Sequence, residues 1–82
     1  VAGRAVKTID FPLRGEYITL DALLKATGLA DSGGAAKALI GAGKVAVDGR
    51  EELRRGAKLR AGAVVAVHGT RVRLLAAPPD GR

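Results

Sequence analysis

Hydrophobic positions along the chain change from a two-residue period to a helical period and back again. Ile9, Phe11 and Leu13 alternate with polar or proline positions, which predicts a short strand. Pro12 cannot donate a ladder hydrogen bond, so we expect this strand at the edge of a sheet. Two helical segments follow, and from Lys44 onward the apolar positions alternate once more.

The two helical segments have recognisable ends. We expect the first to begin with Thr19 as its N-cap and to stop at Gly28. The second begins after Asp31 or Ser32, either of which can act as its cap, and ends at Gly43. Their buried stripes are predicted to consist of Leu20, Leu23, Leu24 and Thr27, and of Ala36, Leu39 and Ile40.

The second half of the chain is predicted to form strands. Asp48-Gly49 indicates a tight turn after the Val45 strand, because a primed turn needs positive φ at both central residues. Residues 64–68 and 71–75 form a hairpin that turns at Gly69-Thr70, and residues 54–60 are a basic connection. The hairpin is expected to direct Val65, Val67, Val72 and Leu74 to one face, and Arg71 and Arg73 to the other.

The length of 82 residues predicts a single domain, with a core over about 7–75, a frayed start at residues 1–4 and a flexible tail at 76–82. The longest apolar run, Ala63–Val67, is far shorter than the roughly 20 residues that span a bilayer. With no cysteine present, nothing indicates an oxidising compartment. We therefore expect a cytoplasmic protein with no membrane partner.

A net charge of +6 predicts a polyanionic partner, although a basic surface that only aids solubility is the alternative. The densest positive segment carries Lys44, Arg50, Arg54, Arg55, Lys58 and Arg60 against Asp48, Glu51 and Glu52. The only aromatic residues are Phe11 and Tyr17, too few for the stacking platforms that bind single strands. Nucleic acid would therefore be recognised by charge and shape.

The stretch TLDALLKATGLADSGGAAKALIGAGKVAVDGR, which begins at Thr19, resembles the alpha-L motif of the S-four RNA-binding domain family. The matching positions are Leu20, Asp21, Leu24, Gly28, Ser32, Ala36, Leu39, Ile40, Gly43, Val45, Val47 and Gly49. The resemblance continues to about Val67. It implies an α+β fold, in which a two-helix hairpin packs on a small, mostly antiparallel β-sheet.

The resemblance also implies a function. The chain is similar to small stand-alone members that associate with structured RNA, so we expect a monomer that contacts the phosphate backbone of ribosomal RNA or tRNA, on the ribosome or free of it. The catalytic domains that accompany this motif in pseudouridine synthases, methyltransferases and tyrosyl-tRNA synthetase are absent, and we expect no enzyme. The alternatives are a ribosome rescue or quality-control factor and a protein–protein adaptor on the ribosome.

Three positions depart from the family pattern. Thr19 and Gly33 replace arginines, and Asp48 replaces an asparagine. Binding is therefore expected to shift toward the remaining cations and the start of the second helix. The candidate RNA-contacting residues are Lys25, Ser32, Gly33, Lys37, Lys44, Arg50, Arg54, Arg55 and Lys58.

Each group of candidates has a structural alternative. Lys37 and Lys44 bind phosphate or simply complement the helix dipole. The arginines of the 54–60 segment offer planar forks to phosphate or pair with Glu51 and Glu52. The backbone N–H groups after Ser32 hold an anion, or the glycines form only a weak helix start beside Asp31.

The sequence has few residues of the types that carry out catalysis or bind metals. His68 is the only histidine and is predicted to be an exposed strand residue. With one serine and no cysteine, the chain offers neither a nucleophile–base pair nor a zinc site, so we expect no cofactor and no metal.

Overall fold

The computed structural model describes residues 7–76, in which seven strands and two helices are formed. The strands are β1 (Lys7–Pro12), β2 (Ile18–Thr19), β3 (Val45–Val47), β4 (Arg50–Glu51), β5 (Lys58–Leu59), β6 (Val64–Val67) and β7 (Thr70–Leu75). The helices are α1 (Leu20–Ala26) and α2 (Gly33–Gly41). The predicted frayed start, and the predicted tail from residue 77 onward, lie outside the described residues.

The strands form two sheets. The larger has the order β1-β7-β6-β3-β4, and the smaller is a ribbon of β2 and β5. All pairs are antiparallel except β1 with β7, which run parallel with Ile9 opposite Val72. β1 lies at an edge, where Pro12 is tolerated, as its sequence predicts. The predicted α+β fold of two helices on a mostly antiparallel sheet is confirmed.

One apolar core joins the helices to the sheet. Both helices contribute one face to it, with Leu24 and Ile40 almost wholly removed from solvent. The complete buried set is Leu13, Leu20, Leu23, Leu24, Ala30, Ala36, Ile40, Val45, Leu59, Val65, Val67, Val72 and Leu74. Burial of each large side chain contributes about 1.5–3 kcal/mol relative to exposure, so these contacts hold the helical hairpin on the sheet. Leu39 and Thr27, which were predicted to belong to the stripes, are half-buried.

Two hairpin turns use left-handed backbone at both central residues. Asp48 (φ 53°) and Gly49 (φ 82°) turn β3 into β4, as predicted. The second turn is centred on His68 (φ 51°) and Gly69 (φ 75°), so the predictions of a Gly69-Thr70 turn and of His68 in a strand were wrong. Histidine adopts the left-handed region more readily than most residues, which allows it to take this position.

Helix ends fix two residues of the candidate site. Ser32, rather than Asp31, is the N-cap of α2, and its hydroxyl accepts a hydrogen bond from the Ala35 N–H at 3.1 Å. At the other end Gly43 has φ 76° and donates to the Ile40 carbonyl, while the Lys44 N–H donates to the Leu39 carbonyl. This is a Schellman motif, and it holds the backbone of Lys44 directly against the end of α2.

Candidate nucleic-acid interface

The β2–β5 ribbon presents a polar face to solvent. Ile18 pairs with Leu59, and these two side chains turn toward the core. Because successive side chains alternate across a strand, the neighbouring residues Tyr17, Lys58 and Arg60 lie on the opposite face. We call these three residues the ribbon face. All three are exposed, and Tyr17 retains 45% of its accessible surface.

The basic segment 54–58 is tied to the beginning of α1. The backbone N–H of Leu20 donates to the carbonyl of Ala57 at 3.0 Å, and that of Asp21 donates to the carbonyl of Arg55 at 3.0 Å. Thr19 is the N-cap by position, but its side chain makes no capping hydrogen bond. The segment therefore satisfies donors that helix starts otherwise leave free, and it is held beside the ribbon face.

Carboxylates compete for part of the positive charge. Arg54 Nε lies 3.1 Å from Glu52 Oε2, which also accepts the backbone N–H of Arg54 at 3.0 Å. The side-chain hydrogen bond from Arg54 is the main reason that the pKa of Glu52 is lowered. The side chain of Glu51 instead lies against Gly43: a Cβ atom built on this glycine would be 3.2 Å from the Glu51 Cδ. The alternative of internal pairing thus applies to Glu52 and leaves most of the segment's charge available.

The other cations of this region are less tightly engaged. Arg60 Nη1 lies 4.0 Å from Glu16 Oε1, and both side chains are largely exposed. The pKa of Asp21 is lowered, first by a hydrogen bond from the Thr19 hydroxyl and to a smaller extent by the Ala22 N–H and the charge of Arg55. The ammonium group of Lys58 lies 5.0 Å from the centre of the Tyr17 ring.

Within the described residues, Arg55 and Lys58 are the two cations of segment 54–58 without an ion pair. Among residues 7–76, neither has a carboxylate oxygen within 4 Å of its charged nitrogens. Lys25 is exposed on α1, four residues after Asp21, which places it on the same face of the helix as that carboxylate. The structure thus brings Arg54, Arg55 and Lys58 together, and Lys25 lies on the adjoining helix.

The remaining predicted site residues are distributed over other surfaces. Arg50 lies on the edge strand β4 opposite Val47. Lys44 lines a groove of about 410 Å³ together with Leu29, Ala30, Asp31, Ala35, Ala38, Leu39, Ala42 and His68. Lys37 is roughly 150° around α2 from the groove-lining positions at 3.6 residues per turn, so Lys37 and Lys44 face different sides.

The start of α2 is exposed but partly occupied by its own cap. Ser32 and Gly33 are both exposed, and the Ser32 hydroxyl is already engaged with the Ala35 N–H. Gly33 lies one turn before Lys37 on the same stripe of the helix. Gly33 and Lys37 therefore lie away from the groove that Lys44 lines, whereas Ser32 adjoins its lining residues Asp31 and Ala35.

One residue of the ribbon face, Tyr17, was missed as a candidate contact, because two aromatic residues in the whole sequence are too few for a stacking platform. Arg60 belongs to the 54–60 segment, whose arginines were predicted to offer planar forks to phosphate, although it was not named among the candidate contacts. Strands β2 and β5 have two residues each, which is too short to show a period in the sequence. Their pairing depends on a contact between positions 18–19 and 58–59.

The described residues show neither a metal-binding cluster nor a membrane-spanning helix. Within residues 7–76, no three His, Asp or Glu side chains gather where they could hold a metal ion. No helix in the described part of the chain is long and apolar enough to cross a membrane.

Comparisons with known proteins agree on one family. The family described as the S4 domain matches residues 11–75. The solution structure of YbcJ from E. coli, which has an alpha-L motif involved in RNA binding, is 34% identical with a TM-score of 0.66. That match covers 92% of this chain and 96% of YbcJ. A comparison with curated proteins gave no significant match. The chain belongs to the S4 domain family.

Proposed function

We propose that this protein is a non-enzymatic RNA-binding protein that contacts the phosphate backbone of structured RNA. The observation that carries the proposal is the docking of segment 54–58 on the start of α1, which holds Arg55 next to Lys58 and the rest of the ribbon face. The S4 domain match and the likeness to YbcJ support RNA as the polyanion.

Fixed backbone at this segment favours binding. A mobile basic loop loses conformational freedom when it meets a phosphate, and that loss subtracts from the affinity. Here the backbone hydrogen bonds to Leu20 and Asp21 already order the loop. Only the side chains of Arg55 and Lys58 have to be ordered, so each phosphate contact retains more of its electrostatic gain.

The expected RNA is structured. Proteins that track single strands combine a basic groove with several aromatic side chains, on which successive bases stack. In the described residues Tyr17 is exposed, whereas Phe11 is half-buried against the core. One exposed ring cannot follow a strand, and this favours a hairpin or junction whose phosphates keep a fixed spacing.

A competition between two RNAs tests the proposal. A hairpin from ribosomal RNA and an unstructured strand of equal length and charge are titrated against the protein at the same salt concentration. We expect the hairpin to bind more tightly, and tighter binding of the unstructured strand would contradict recognition of shape.

The cellular target is proposed from the same family likeness. We propose ribosomal RNA, with tRNA as the second class, bound by a monomer in the cytoplasm, either on the ribosome or in a rescue or quality-control process. Sequencing of RNA cross-linked to the protein in cells, with the Arg55→Ala/Lys58→Ala variant as control, tests this. Recovery of ribosomal RNA above that control is expected, and messenger RNA alone would contradict it.

An adaptor role on the ribosome is the second candidate, and the groove beside α2 favours it. Its lining is mainly leucine and alanine, with Asp31, Lys44 and His68 as the polar members. An apolar protein segment fits this lining better than a phosphate backbone does, because most of the lining cannot pair with charge. If the adaptor role is correct, Leu39→Glu removes ribosome association and leaves binding to isolated RNA unchanged.

A further inference from the structure

Tyr17 and Lys58 form a composite feature that the phosphate-contact proposal leaves unexplained. Among residues 7–76, Tyr17 is the one exposed aromatic residue. Its ring carries the Lys58 ammonium 5.0 Å from its centre. Despite this contact, Tyr17 remains 45% exposed, and the apolar surface of an exposed ring on a basic surface suits a stacking partner.

A depression lies next to this pair. It has a volume of about 450 Å³ and is lined by Arg54, Gly56, Ala57 and Lys58. Lys58 thus borders both the Tyr17 ring and the depression. The lining residues without charge are small, which leaves room for a sugar-phosphate unit between the two cations.

We infer that Tyr17, Lys58 and Arg54 form a binding site for one unpaired nucleotide of a structured RNA. The base stacks on the Tyr17 ring, and its phosphate lies in the depression between the two cations. This inference rests on the proposed RNA-binding function and adds to it a preference for RNA that has a bulged or flipped-out nucleotide.

The ammonium on the ring is compatible with this arrangement. A cation–π contact at an exposed site is weaker than the stacking of a base on an aromatic side chain. A base therefore displaces the Lys58 ammonium from the ring, and the flexible lysine stem carries the charge to the phosphate. Arg54 is already oriented by its two contacts with Glu52, and its donors that remain free can reach the same phosphate.

The number of rings limits what the site recognises. A single aromatic side chain holds one base, and stacking tolerates any base because each has a π face. We expect recognition of an unpaired position in a duplex, with little preference for which base is unpaired. Paired regions contact only the cations.

A bulged RNA with a fluorescent base tests the inference. The protein is titrated into a hairpin that has one bulged 2-aminopurine, and into the same hairpin fully paired. We expect the bulged RNA to bind about tenfold more tightly, equivalent to about 1.4 kcal/mol, and its 2-aminopurine to be quenched on binding. Equal affinity for the two RNAs without quenching overturns the inference and leaves the proposed function standing. Failure to bind either RNA overturns both.

Two substitutions assign the effect to the ring. Tyr17→Ala should lose the tenfold preference and the quenching while it still binds the paired hairpin, which also shows that the variant is folded. Tyr17→Phe should keep both, because the ring and not the hydroxyl stacks. If Tyr17→Ala keeps both the preference for the bulged RNA and the quenching, the unpaired base does not stack on Tyr17 and the inference is wrong. If that variant does not fold, quenching by the wild-type protein decides between the outcomes.

Discussion

The double substitution Arg55→Ala/Lys58→Ala separates binding from folding. Both residues are exposed beside α1, and neither belongs to the core. The matched control is Arg71→Ala/Arg73→Ala on the outward face of β7. Each double variant lowers the net charge by the same amount, so a difference between them reports the location of the RNA and not the total charge.

The size of the effect follows from the salt dependence of phosphate contacts. Each phosphate contact contributes about 0.7–0.9 to the steepness of the fall of log K with log salt. Lowering the salt concentration from about 1 M to about 0.1 M therefore strengthens binding by roughly sixfold for each contact. Loss of two contacts should weaken binding roughly 40-fold at 0.1 M salt. The control charges lie on the larger sheet and not on the ribbon, and Asp10, 2.8 Å from Arg73, already offsets one of them, so we expect a loss of only about twofold.

Stability should change little in either double variant. Exposed substitutions usually alter the free energy of unfolding by under about 0.5 kcal/mol, and loss of the Lys58 contact with the Tyr17 ring adds about 0.5–1 kcal/mol. The control variant loses the exposed ion pair between Arg73 and Asp10, and exposed pairs of this kind contribute little to stability. Filter binding gives the affinities, and circular dichroism melts give Tm. If the Arg71/Arg73 variant loses binding while the Arg55/Lys58 variant retains it, the RNA lies on the sheet and the proposed interface is wrong.

Three further predictions address the fold that supports the interface. Leu24→Ala should cost about 2–5 kcal/mol by leaving a cavity, whereas the same change at Leu53, which is 57% exposed, should leave Tm almost unchanged in the same melts. Asp48→Ala should cost about 2 kcal/mol, because alanine at φ 53° is strained and the acceptor for the Val64 N–H is lost; Asp48→Asn should be nearly neutral in urea unfolding. The pKa of Asp21 in the folded protein is below its usual value of 3.8. The ionised Asp21 carboxylate therefore stabilises the fold above about pH 4, and this stabilisation is lost as the pH falls through the lowered pKa. The fall in Tm on acidification should accordingly be smaller in Asp21→Asn.

The helices and the C-terminal hairpin could be predicted because their hydrophobic patterns are long enough to show a period. The stripe of Leu20, Leu23 and Leu24 is buried as its spacing indicates. The turn at Asp48-Gly49 is also as predicted, because few residue pairs accept positive φ at both positions. Local chemistry determined these features.

The β2–β5 ribbon could not be predicted, since it depends on a contact between distant positions. Thr19 pairs with Lys58, and neither segment has enough residues to show alternation. The contact of Lys58 with Tyr17 follows from this pairing. The engagement of Arg54 by Glu52, with Glu51 turned to Gly43, depends equally on tertiary geometry. The sequence therefore predicted the charges of the site but not how they are grouped.

The salt dependence of RNA binding tests the central proposal most directly. The affinity of the wild-type protein for a ribosomal RNA hairpin is measured across a series of salt concentrations, and log K is plotted against log salt. If about four phosphates are contacted, the slope should be near −3, with about 0.7–0.9 for each contact. A slope near zero would contradict a phosphate-contacting interface and would favour the protein–protein adaptor.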